Sequence, residues 1–343
     1  LPIYNKRSRL QLNLSQSLQS WGNFYISAYQ QDYWGRQGYE RNVSTGFNTS
    51  IRDINYSLGY TYSETPGKDR RDQIVAFNLQ VPLSKWLPQS WASYSVNMQK
   101  NGPETHLVGL SGTALSDNNL SYLVQQGYTS SGGESRSSLS GTYKGGYGTV
   151  SAGYNYSRQN SQLNFGLQGG IVGHEHGVTF SQPLGDTIVL LEAQGASGVS
   201  VRNNPGVKTD WRGYAVVPYA SAYQENRIAI DIGSLGPDVD VDESVVNVVP
   251  TRGAVVRATF KARTGFRALI TLLYQNSPVP FGAMVKLNGS DAMSIVGSDG
   301  EVYMSGLNDG DSITVQWGAK TCRAKINLNA LPGKIQRTAA TCR

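Results

Sequence analysis

The chain has 343 residues, of which 39% are apolar and 16% charged, whereas an average soluble domain carries about 25% charged residues. Ser, Asn, Gln, 39 Gly and 20 Tyr take the place of charge, which excludes a greasy helical membrane protein and a densely charged soluble enzyme. The net charge of +6 comes from dispersed Lys and Arg with no run of four, so a nucleic-acid footprint is not expected.

Residues 1–4 read Leu-Pro-Ile-Tyr, with no initiator Met and no signal peptide, and strand-like alternation begins almost at once. The start therefore reads as the interior of a longer chain. No segment approaches the roughly 20 apolar residues of a membrane helix. The mean hydropathy of -0.35 is still compatible with a membrane barrel, whose strands turn only every second side chain to lipid.

From Arg9 to about Leu184 the pattern has period two. Leu10, Leu12 and Leu14 alternate with Gln11 and Asn13; Ile54, Tyr56, Leu58, Tyr60 and Tyr62 with Asn55, Ser57, Gly59 and Thr61. Val75–Val81, Ala92–Met98 and Leu163–Ile171 repeat it. Successive strand side chains point to opposite faces, so each segment has an apolar and a polar side. The segments run about 9–12 residues, enough for a tilted strand to cross a bilayer. Turn signals separate them at Trp21-Gly22-Asn23, Pro66-Gly67, Asn101-Gly102, Asp117-Asn118-Asn119, Ser131-Gly132-Gly133 and Gly145-Gly146. About twelve antiparallel strands are expected, joined as hairpins. Trp21, Tyr33, Trp34, Tyr39, Trp86 and Trp91 fall near segment ends, as in the aromatic girdles of membrane barrels.

Near Asp186 the strands become shorter and richer in Val and Ile, and proline punctuates them at 205, 218, 237, 250, 278, 280 and 332. Segments 187–192, 213–217, 227–232, 245–249 and 253–261 suggest one small β-sandwich. Segments 266–274, 281–287, 293–297, 301–304, 312–317 and 322–328 suggest a second, with the boundary at Thr264-Gly265. The fold class is all-β: the C-terminal half of a transmembrane β-barrel over 1–186, then β-sandwich domains over 187–264 and 265–343. Cys322 and Cys342 would form one disulfide in an oxidising compartment, worth about 3 kcal/mol for a loop of roughly 20 residues.

The motifs that invite chemistry have plainer readings. His174-Glu175-His176 could present two imidazoles to one metal ion, but no third ligand is evident and a polar hairpin tip between Gly173 and Gly177 explains it. Asp238, Asp240, Asp242 and Glu243 lack a closing bidentate Glu and read as a solvated loop. Lys144-Gly145-Gly146-Tyr147-Gly148 reads as a turn. No nucleophile elbow, phosphate loop or Cys-x-x-Cys is present, so neither an enzyme nor a cofactor is expected.

The stretch from Gly206-Val207-Lys208-Thr209-Asp210-Trp211-Arg212-Gly213-Tyr214 to Pro218-Tyr219 resembles the fimbrial outer-membrane usher family, of the type 1-like chaperone–usher pathway. The likeness continues in Asn247-Val248-Val249-Pro250-Thr251-Arg252-Gly253, Pro280-Phe281-Gly282-Ala283 and Gly300-Glu301-Val302-Tyr303-Met304. Weaker matches such as Asp32-Tyr33-Trp34 and Gly177-Val178-Thr179-Phe180 extend it over essentially the whole chain.

The resemblance implies an assembly platform and pore that receives periplasmic chaperone–subunit complexes, then secretes and polymerises pilus subunits without ATP. It implies outer-membrane location with the C-terminal domains in the periplasm. The expected partners are chaperone–subunit complexes, pilus subunits in transit, outer-membrane lipid and other usher copies in an oligomer. The chain departs from the family in lacking the N-terminal domain, the first half of the barrel and the plug, as a fragment or a truncated gene product would. Trp211, Tyr214, Tyr219, Phe281 and Tyr303 are contact candidates, with core packing as the plainer reading. Val279 and Phe281 are expected on a Pro-flanked edge strand where a partner docks. A passive outer-membrane porin or other secretion barrel is the alternative, and it leaves the two appended sandwiches unexplained; a soluble adhesin would require 1–184 to be soluble without detergent.

Overall fold

A computed structural model of the chain describes residues 5–67, 71–329 and 335–343. Leu1–Tyr4 and Pro332, named above, lie outside the described residues. The chain divides into two compact units, one of residues 1–143 and 150–167, the other of residues 144–149 and 168–343.

The first unit is one sheet of eleven strands in chain order. They are β1 (Lys6–Ser17), β2 (Asn23–Tyr33), β3 (Glu40–Ile51), β4 (Ile54–Glu64), β5 (Asp72–Pro82) and β6 (Ser90–Gln99). β7 (Glu104–Ala114), β8 (Leu120–Thr129), β9 (Glu134–Gly145), β10 (Gly148–Ser157) and β11 (Ser161–Gln168) complete it. Each strand pairs with its neighbours in sequence, the order that consecutive antiparallel hairpins produce. Non-glycine residues of positive φ sit in these turns, among them Asp53, Asn101 and Asn118, where short polar side chains tolerate the left-handed region.

About twelve strands were expected in this half. Eleven form the continuous sheet, and the segment read as one strand over 163–171 is broken. β11 ends at Gln168, and β12 (Gly170–His174) pairs instead with β13 (Gly177–Ser181) as a separate hairpin. Gly169 and Gly170 mark the break because the main chain of 181 passes close there; a Cβ on Gly169 would lie 3.0 Å from the Ser181 carbonyl.

In the second unit, β14 (Ile188–Glu192) lies between β15 (Tyr214–Val217) and, in parallel, a later strand. β16 (Asn226–Ala229), β17 (Val239–Val241) and β18 (Val245–Val248) precede that parallel partner, β19 (Val255–Thr259), and β20 (Ala262–Thr264) follows it. β16 pairs with β18, and β17 with β20. β14 is buried at every position, and its neighbours explain why. Val189 and Leu191 join a core with Ala215, Val217, Ile230 and Phe260, while Ile188 and Leu190 face a second cluster with Val172, Tyr214 and Val216. A strand covered on both faces reads as an unbroken apolar run, here Ile-Val-Leu-Leu.

The last residues build two four-stranded sheets around a core of their own. β21 (Phe266–Tyr274), β22 (Ser277–Pro278), β23 (Met284–Leu287), β24 (Met293–Ile295) and β25 (Glu301–Leu307) come first, then β26 (Ser312–Trp317), β27 (Lys320–Lys325) and β28 (Gln336–Cys342). One sheet runs β22-β21-β25 with β28 parallel to β21, the other β24-β23-β26-β27. Ile270, Leu272, Val285, Val302, Ile313 and Val315 fill the space between them. Cys322 on β27 and Cys342 on β28 are bonded, with Cα atoms 5.5 Å apart, and join one sheet to the other. At Gly265 φ is +142°, and a Cβ would lie 2.7 Å from the Gly306 carbonyl carbon, so this position tolerates only glycine.

Candidate functional site

The register of the eleven-stranded sheet sorts its side chains into two faces. Residues directly opposite in an antiparallel pair share a face. Phe24 stands opposite Phe47, Phe47 opposite Leu58, Leu58 opposite Phe77, and Phe77 opposite Val96. Leu110, Val124 and Leu139 continue this apolar face through β7, β8 and β9. On the other face Asn48, Ser57, Asn78 and Ser95 form a row, and Gly46, Gly59, Ala76, Asn97 and Thr105 the next. One surface suits hydrocarbon and the other suits water, over strands of 8 to 12 residues.

Tyr56, Tyr60 and Tyr94 also belong to the apolar face. His106 sits between Tyr94 and Tyr128, and its Nδ1 lies 2.8 Å from the Tyr94 hydroxyl. The polar face carries a Tyr29–Glu40–Tyr33 hydrogen-bond network, in which the Tyr29 hydroxyl donates to the Glu40 carboxylate at 2.9 Å. On the same face the Tyr25 ring lies across Gly46, where any Cβ would collide with it. An aromatic ring over a strand glycine covers exposed main chain and lets the sheet bend.

In the second unit, the β12–β13 hairpin is gripped by an ionic and aromatic cluster. The Asp210 carboxylate, 6% exposed, accepts from the main-chain N–H groups of Arg212 and Tyr214, each at 2.9 Å, and from the Arg212 guanidinium at 2.9 Å. So fixed, Arg212 donates to the His176 carbonyl at 3.0 Å, the Val178 carbonyl at 2.5 Å and the Thr179 hydroxyl at 3.2 Å. The His174 ring lies 4.6 Å from that of Tyr214, whose hydroxyl donates to Glu192 at 3.1 Å. Arg257 pairs with Glu175 at 2.6 Å.

Burial pushes the Tyr214 phenol up, and the hydrogen bond to Glu175 raises Arg257. His174-Glu175-His176 thus forms the end of the hairpin, with Glu175 and His176 in the turn. Sequence reading passed over Arg212, Asp210 and Arg257 as actors. The Asp-x-Arg spacing inside the quoted motif was the available signal.

The contact candidates separate by burial. Trp211 and Phe281 are 79% and 81% exposed, Tyr219 is exposed, and Tyr303 is 40% exposed. Tyr214 and Val279 are buried and belong to the packed interior, because Tyr214 stacks under the hairpin and Val279 points into the last core. Phe281 lies in the Pro280–Gly282 turn after the two-residue strand β22, an edge strand of its sheet. The acidic run, read above as a solvated loop, is partly strand β17. Its Asp240 accepts from the Tyr303 hydroxyl at 3.3 Å, and Asp242 pairs with Arg263 at 2.6 Å. Burial and the Asp240 charge raise the Tyr303 phenol. Lys144-Gly145-Gly146-Tyr147-Gly148 spans the turn between β9 and β10.

Comparison with known proteins places this geometry. A family model described as outer membrane usher protein matches residues 2–260, and one described as the PapC C-terminal domain matches residues 269–330. The chain is 44% identical to the outer membrane usher protein FimD of Escherichia coli (strain K12), over 98% of this chain and 40% of the relative. It is 43% identical to the outer membrane usher protein LpfC of Salmonella typhimurium, over 95% of this chain and 39% of the relative. It spans about two fifths of the length of these curated relatives. Among solved structures, the cryo-EM structure of an E. coli P pilus tip assembly intermediate, PapC-PapD-PapK-PapG, superposes with a TM-score of 0.65. That match has 23% identity and covers 99% of this chain and 42% of the matched one, and it shows the fold.

Proposed function

This chain belongs to the outer membrane usher family, and on that premise we propose that it supplies part of a secretion pore and its assembly platform. The observation that carries this reading is the two-faced sheet, with a hydrocarbon-compatible surface backed by a wet one across eleven consecutive strands. In this reading residues 1–186 are the barrel segment in the outer membrane, and 187–264 and 265–343 are two periplasmic domains that receive chaperone–subunit complexes.

The wet face would line the path of pilus subunits. Its many Ser, Asn and Gln side chains hydrate the wall with little of the fixed charge that would grip a cargo. The chain acts as a platform rather than an enzyme: its sequence brings no nucleophile and base together in a recognisable motif. Exposed Phe281, with Trp211 and Tyr303, is offered to the incoming complex, since aromatic side chains left in water are the usual anchors of an interface.

The test is surface piliation of bacteria whose own usher is deleted and replaced by a full-length usher carrying this segment. Piliation and outer-membrane fractionation are expected. Phe281→Asp is expected to lower chaperone–subunit binding at least tenfold while the protein stays in the membrane. Piliation that fails although the protein is folded in the outer membrane would overturn the pore reading. Unchanged affinity would remove Phe281.

A further inference from the structure

The second unit has two distinguishable ends. It includes residues 144–149, which hold the last two residues of β9 and the first two of β10. Gln182 donates to the Gly145 carbonyl in that turn at 3.4 Å and to the Pro205 carbonyl at 2.8 Å. Three residues on, a reach of at most about 10 Å, the Gly185 N–H donates to the Pro218 carbonyl at 2.7 Å. The β12–β13 hairpin gives the direction. Its base pairs Gly170 with Ser181, next to Gly169, and its turn at Glu175 and His176 reaches Arg257 and Arg212. Strands of five residues set these two levels about 14–17 Å apart. The near end of the unit is therefore the one at Gly145, and the far end is the one that Arg212 ties to the hairpin turn.

Three loops meet at the near end. The Ala220 N–H donates to the Thr187 carbonyl at 2.8 Å, the Gly253 N–H to the Thr187 hydroxyl at 3.0 Å, and the Tyr223 N–H to the Pro250 carbonyl at 2.7 Å. Leu184, Tyr219, Tyr223, Val249 and Arg252 stand exposed on these loops. Tyr223 is 69% exposed and yet holds φ at +60°, a conformation that bulky side chains rarely adopt. The Asn226 side chain braces it there: it accepts from the Ser221 N–H at 2.8 Å and donates to the Ser221 and Gln224 carbonyls at 2.8 and 2.9 Å. Strain kept where so little packs against the ring marks a loop built to present it. Among the described residues Arg252 has no ion-pair partner.

We propose that the near end docks on the phospholipid headgroups around the barrel segment, with Tyr219 and Tyr223 as interfacial anchors and Arg252 on a lipid phosphate. The inference rests on reading residues 1–186 as the barrel segment. Two features choose lipid as the occupant. The exposed side chains lie at the end tied to the β9–β10 turn, where a transmembrane hairpin emerges into a headgroup layer about 5–8 Å deep. Their chemistry is also that of a water–lipid boundary. Each tyrosine has an apolar ring with a polar edge, Leu184 and Val249 add aliphatic surface, and the guanidinium of Arg252 is left to meet an anion. A soluble partner is met at the far end, where Trp211 is exposed. Docking holds that end away from the bilayer.

The experiment uses a full-length usher carrying this segment, in nanodiscs of phosphatidylethanolamine and phosphatidylglycerol with or without doxyl-labelled lipid. The two cysteines of the segment are bonded to each other, so a thiol introduced by Tyr219→Cys, Tyr223→Cys or Val249→Cys is the one in it that takes up an NBD fluorophore. Doxyl lipid is expected to quench NBD at each of these positions at least twofold more strongly than at Trp211→Cys. Val249→Cys leaves both tyrosines in place and serves if Tyr223→Cys does not fold. Leu58→Cys, on the apolar face of the sheet, reports on the barrel reading: no quenching there would sink both readings. Quenching at Leu58→Cys with none at the loop positions would overturn the docking alone. A blue-shifted but unquenched fluorophore on the loops would set them against protein and overturn it equally.

Discussion

At Arg212 one guanidinium meets acceptors on three successive parts of a hairpin while Asp210 holds it from behind. Arg212→Ala would strip a nearly buried carboxylate of its counter-charge, and removing one partner of such a pair costs about 3 kcal/mol. The expected result is faster amide hydrogen exchange over 170–181, with exchange in the last core unchanged. None of this was legible in the sequence beyond the Asp210-x-Arg212 pair. Two of the three acceptors are main-chain carbonyls more than thirty positions upstream, and carbonyls carry no sequence signature.

At the scale of strands, alternation told nearly all there was to tell. Leu58 and Ser57 are neighbours in sequence yet belong to opposite surfaces, and the register alone joins Leu58 to Phe47 and Phe77. Leu58→Arg should therefore cost about 2–4 kcal/mol if it lies near the bilayer midplane, seen as a lower folded fraction in the outer membrane, whereas Asn97→Arg on the wet face should be tolerated. The elements that escaped were β17, β20, β22 and β28. β17 alternates Val with Asp inside an acidic run, and β22 has two residues. β28 reads Gln-Arg-Thr-Ala-Ala-Thr-Cys, with small and polar residues where a strand signal wants branched ones. Tyr214 packs as the plainer core reading had it, whereas Val279, expected on an edge strand where a partner docks, lies in the last core; depth depends on what packs above a residue, and here that is a hairpin and a core.

For the molecule as a whole, family membership was legible because long motifs survive intact. The last core is distinct from the one around Leu191, and the disulfide closes only the former. Reduction should lower the melting of residues 265–343 by about 3 kcal/mol, a shift of roughly 10–20 °C for a unit of this size, followed by tryptophan fluorescence of Trp317. The core around Leu191 should melt where it did. β28 carries a further consequence. It lies parallel to β21, the first strand of its own sheet, and is drawn from residues some seventy positions later. A parallel pair of such separation forms slowly. Until those late residues are available, β21 keeps a naked edge, so the folding protein passes through an interval in which it is most prone to aggregate.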